Sequence, residues 1–107
     1  MKILTIAVVA VSALAGAAQA APVTNLQYLH AARCRGLAAS EGLGKLDTAA
    51  IDAFLRTEGA ARDLAVRTSA VNKMTSAMNE ANKADGAKKE KLLAERGAQC
   101  AEWLAAK

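Results

Sequence analysis

The sequence predicts an all-α protein: a small bundle of three or four helices, stapled by one disulfide. Three observations carry this. Pro22 is the only proline among 107 residues, so the chain beyond it has no proline to break a helix. Beyond residue 20, 21 of the 87 residues are alanine, the strongest helix former. Nowhere do apolar and polar residues alternate as a half-buried strand requires.

The first 20 residues read as a separate element. Fifteen of them are apolar, Lys2 supplies a positive start, Ile3 to Leu14 is an apolar run, and Ala18-Gln19-Ala20 has the small-x-small form of a cut site. This predicts a cleaved secretory signal over 1–20 and one small domain over 21–107, periplasmic or secreted. Position 21 is Ala, so no lipid-bearing cysteine follows the cut, and no later stretch is long or apolar enough to span a bilayer.

The helices are placed by their ends. Thr24, with Gln27 three residues on, makes a capping box and opens a helix over about 25–41. Leu26, His30, Cys34 and Leu37 then form one stripe, with Leu29 beside it. Gly42 is the expected left-handed stop, with Leu43 folding back. A second helix over 47–58 starts at Asp47, with Leu46 and Ile51 as a hydrophobic staple. Its apolar face of Ile51, Phe54 and Leu55 is interrupted by Glu58 and Arg62, so a break is expected near Gly59.

The third helix, over 60–84, contains a seven-residue repeat, Thr68-Ser-Ala-Val-Asn72 and Thr75-Ser-Ala-Met-Asn79. It sets Leu64, Val71 and Met78 one heptad apart, with Met74 and Ala81 alongside. This seam is read as an intramolecular helix contact, with a weak dimer as the alternative. Asp85 caps the last helix, over 86–106, whose expected inner face is Leu92, Leu93, Gly97, Cys100, Trp103 and Leu104.

Two cysteines in a small exported domain pair with each other. A Cys34–Cys100 bond joins the first helix to the last. The domain holds only 19 large apolar side chains, a thin core that such a staple compensates. The lone histidine, His30, lies one turn before Cys34, the spacing a metal site or a Cys-His dyad needs. An oxidised Cys34 serves neither, so no metal and no cofactor is expected. Met74 and Met78 read as core, and the haem-attachment motif Cys-x-x-Cys-His is absent.

Charge adds little. The net charge is +4, or +3 without Lys2. Arg33 and Arg35 flank Cys34, and Lys88, Lys89 and Lys91 cluster near the last helix start. With one Trp, one Tyr and one Phe there is no basic stripe interleaved with aromatics, so nucleic acid is not an expected partner. No catalytic constellation is visible around one histidine. The expected function is a non-enzymatic protein-interaction or chaperone-like envelope module, acting on an envelope partner or client. In size, export and cysteine count the chain is similar to small one-disulfide helical acid-stress chaperones. The alternative is a ligand- or metal-binding protein with a site near His30 and Trp103.

Overall fold

The computed structural model describes residues 22–104. The leader expected over 1–20 lies outside them. The described chain is all-helical: α1 (Asn25–Ala39), α2 (Ala49–Gly59), α3 (Leu64–Lys83), α4 (Gly86–Ala98) and the single turn α5 (Ala101–Leu104).

α1 starts where its capping box puts it. Thr24 Oγ1 accepts from the Gln27 amide at 3.1 Å, and Gln27 Oε1 accepts from the Thr24 amide at 2.9 Å. The helix stops at Ala39, and the left-handed residue of the following turn is Gly44 (φ +85°), not Gly42. Gly42 has a different role. A Cβ there would stand 2.8 Å from the Ala81 carbonyl oxygen, so its bareness lets the loop lie against the end of α3. Asn82 secures that contact: its Oδ1 accepts from Ser40 Oγ at 2.7 Å and from the Gly42 amide at 3.0 Å. Leu43 folds back into the core as expected.

α2 begins two residues later than the sequence predicts. Thr48 is its N-cap, Asp47 Oδ1 accepts from the Ala49 amide at 2.9 Å, and Leu46 stays exposed instead of stapling. The break near Gly59 is present: α2 ends there, and a turn leads to α3 at Leu64. The interrupting charges stabilise this turn. Arg62 pairs with Glu58 at 3.1 Å, donates to the Val23 carbonyl and Asn25 Oδ1, and lies over the Tyr28 ring.

Every other helix packs on α1. α3 runs parallel to it: Tyr28 and Ala32 cluster with Ala70, and Ser40 reaches Asn82 near both C-termini. α2 runs antiparallel, with Arg35 bonded to Asp52 at 2.9 Å and Gly59 beside the Tyr28 hydroxyl. α4 and α5 also run antiparallel to α1, placing Arg96 beside Leu37 and Trp103 beside His30.

The α1–α3 contact corrects the predicted seam. Ala70, Ala77 and Ala81 are buried, Met74 and Met78 are half-buried, and Leu64 and Val71 face solvent. The heptad repeat is used, but one residue earlier, through its alanines. One residue is about 100° of helix rotation. The reason lies on α1. Gly36 brings the backbones so close that its missing Cβ would overlap the Met74 carbonyl oxygen and stand 3.0 Å from Ala77 Cβ. Only small side chains fit at that separation, so valine and leucine are turned aside. The α1 stripe shifts likewise: Cys34 and Leu37 are buried, but Leu26 is exposed, and Tyr28, Ala31 and Ala32 take the interior.

The last helix is also not continuous to 106. It breaks at Gln99–Cys100, where the Cys100 amide donates to the Glu95 carbonyl at 3.2 Å, one residue longer than an α-turn. The widened turn carries Cys100 into the core and leaves Gly97 exposed. Leu92 and Cys100 are buried, and Leu93, Trp103 and Leu104 pack at the margin.

Candidate functional site

The sequence singled out His30, Cys34, Cys100 and Trp103, and the structure brings all four together. Cys34 and Cys100 form the disulfide, with Cα atoms 5.5 Å apart and both residues fully buried. His30 Nε2 stands 3.7 Å from Cys34 Sγ. Trp103 meets the imidazole edge-on, with ring centroids 4.9 Å apart and planes at 83°. Phe54 extends this aromatic group from α2, at 6.4 Å from Trp103. Each position has a structural cause. The i,i+4 spacing stacks His30 against Cys34 on α1, and the widened turn at Cys100 directs α5 back so that Trp103 covers the ring.

His30, Cys34 and Cys100 place their ligand atoms within 4.8 Å of one another. The imidazole is half-buried and borders a groove of about 250 Å³ lined by Leu26, Leu29, Arg33 and Lys73. His30 thus touches both the buried disulfide and the groove.

An ion-pair network beside this group was not legible in the sequence, where Arg33 and Arg35 read only as charges flanking Cys34. Arg33 grips Glu95 of α4 with two bonds, Nε–Oε2 at 2.7 Å and Nη2–Oε1 at 3.0 Å, and reaches Glu80 of α3 at 3.4 Å. It thus ties three helices together. Lys88 joins through Glu80 at 4.0 Å. Arg96 clamps the α1–α2 loop, donating to the carbonyls of Leu43 at 3.0 Å and Gly44 at 2.7 Å. Its guanidinium pKa is lowered by burial. No sequence pattern announces the partners of Arg33 and Arg96, which lie more than 40 residues away in the chain.

The Arg33 guanidinium holds the Glu95 carboxyl below the usual carboxylate range, and Arg35 does the same for Asp52. A carboxylate whose folded pKa is depressed contributes stability above its unfolded pKa, near 4, and that contribution is lost as pH falls through the folded value. Urea midpoints of the wild type should therefore fall below about pH 4. Glu95→Gln should be less stable at pH 7 by roughly 1–2 kcal/mol and lose stability less steeply in acid. Parallel pH profiles for the two proteins would contradict the assignment.

The fold and site define a class: an all-α, single-disulfide protein built around α1, with an imidazole and an indole set against the bond. No known family model matches the chain, nor does any curated protein or solved structure.

Proposed function

We propose that this is an exported, non-enzymatic protein-interaction module of chaperone-like kind. Its contact surface is the outward flank of α3, and its partner is an envelope polypeptide presenting apolar side chains. One observation carries the reading: on α3, Ala70, Ala77 and Ala81 are turned inward while Leu64 and Val71 are turned outward. Alanines fill the α1–α3 interface, whereas Leu64 is 70% exposed, Val71 58% and Leu26 on α1 79%. Burying one leucine or valine side chain contributes roughly 1.5–3 kcal/mol. A domain with so few of them forgoes that stabilisation when it turns them outward. Leu64 and Val71, one heptad apart with half-buried Met78 continuing the row, form a strip rather than scattered exposures. Export rests on the leader pattern of residues 1–20, and the disulfide suits an oxidising compartment.

The test is aggregation of a thermally unfolding client protein, followed by light scattering at neutral and acidic pH. The wild type should suppress scattering, and the Leu64→Ser, Val71→Ser double variant should lose most of that suppression with its own melting temperature little changed. No suppression by the wild type at any client ratio would end the proposal. The seven-residue spacing also favours a second reading, self-association through Leu64, Val71 and Met78. Scattering mass measured across protein concentration separates the two, since a strict monomer removes the dimer.

A further inference from the structure

Bonded sulfurs are poor ligands, but the donors around this disulfide already have the spacing of a metal site. A trigonal ion with bonds of about 2.0 Å to imidazole nitrogen and 2.3 Å to thiolate sulfur separates those two ligand atoms by about 3.7 Å. His30 Nε2 and Cys34 Sγ are 3.7 Å apart. Two thiolates on such an ion lie about 4 Å from each other. With Cα atoms 5.5 Å apart, Cys34 and Cys100 reach that separation by side-chain rotation once the bond between them is cut. We propose that reduction of the Cys34–Cys100 disulfide converts this group into a three-donor site for a thiophilic monovalent cation, Cu(I). The inference is independent of the α3 surface.

The chemistry of the donors selects the ion. Two thiolates and one imidazole are soft ligands that favour Cu(I) or Zn(II). Structural Zn(II) completes four ligands. His30, Cys34 and Cys100 supply three, and the sulfurs are fully buried, with Trp103 against the imidazole. Cu(I) is satisfied by three donors in such a dry position. His30 is half-buried and lines the groove beside Leu26 and Lys73.

The redox step is ordinary thiol–disulfide exchange with a dithiol reductant. In a locally opened state that exposes a sulfur of the pair, one reductant thiolate attacks it, and the other cysteine leaves as a thiolate. The second reductant thiol then resolves the mixed disulfide, so the reductant becomes its own cyclic disulfide. Two electrons and two protons pass to Cys34 and Cys100. Cu(I) then binds both sulfurs and neutral His30, and the two thiol protons go to solvent. A disulfide oxidant that takes up the two electrons and becomes a dithiol would re-form the Cys34–Cys100 bond and expel the ion, so occupancy follows the surrounding thiol–disulfide balance.

The experiment uses the full domain, reduced with a dithiol, desalted anaerobically and titrated with Cu(I) against a chromophoric Cu(I) chelator. One Cu(I) per chain is expected, with quenching of the single tryptophan, Trp103, and helical circular dichroism preserved in the complex. The oxidised protein should bind none. His30→Gln leaves the disulfide intact, so its folding is checked in the oxidised state by melting. After reduction it should bind Cu(I) at least about tenfold more weakly, since losing a ligand costs no less than losing the outer-shell partner of one. Three results would overturn the proposal: equal affinity in His30→Gln, equal binding by the oxidised protein, or a Cu(I) complex that has lost its helical signal.

Discussion

Reducing the Cys34–Cys100 bond, or replacing both cysteines with alanine, is expected to lower the unfolding free energy by about 4 kcal/mol. The cysteines are 66 residues apart in sequence, so the bond removes much of the freedom of the unfolded chain. Domains are commonly stable by only about 5–15 kcal/mol. The rest of this interior offers little reserve, for its fully buried large side chains are led by Leu37 and Ile51. Urea titration by circular dichroism, with and without a dithiol, gives the measurement. The reduced protein should unfold at a markedly lower midpoint. Coincident curves would mean that the helices hold one another without the staple.

The second large effect is expected at Gly36. Glycine-to-alanine changes inside a helix ordinarily gain up to about 1 kcal/mol. Here the added methyl group meets the Met74 backbone carbonyl and Ala77 Cβ, neither of which can rotate away. Gly36→Ala is therefore expected to destabilise by about 1–3 kcal/mol, and Gly36→Leu by more. Gly97→Ala is the control. A Cβ at Gly97 meets nothing within 4 Å, so the same change there should stabilise slightly. Thermal melts of the variants decide it; a stabilised Gly36→Ala would show that the α1–α3 contact is looser than the structure has it.

What the sequence could convey followed from interactions that are local or unique. The Thr24–Gln27 capping box spans three residues, and its bonds formed as read. The break near Gly59 was legible because Glu58 and Arg62 interrupt an apolar face within one turn. The cysteine pairing had one intramolecular solution, and the i,i+4 spacing placed His30 beside it. The α3 seam was misassigned for a physical reason. Hydrophobicity ranks Leu64 and Val71 above Ala70 and Ala77, but helix separation is set by the partner, and Gly36 lies on another helix, far outside the periodicity of α3. Where alanine is abundant, the buried face of a helix cannot be read from its own periodicity. The Arg33–Glu95 and Arg96–loop bonds are hidden for the same cause, since a charged side chain carries no mark of the distant carboxylate or carbonyl that it will face. The break at Cys100 escaped because the widened turn contains no proline and no glycine at the break itself.

The central position of α1 has a consequence for the order of assembly. A typical helical bundle folds quickly because neighbouring hairpins form first and enclose only short loops. Here the helix nearest the start of the described chain is the one against which α2, α3, α4 and α5 all pack. During synthesis α1 emerges before any of them, and Ala31, Cys34 and Leu37 must wait for residues as distant as Leu92 and Cys100 to share their core. Closing such long loops costs chain entropy before any contact returns it. Assembly thus finishes only when the far end of the chain arrives at α1.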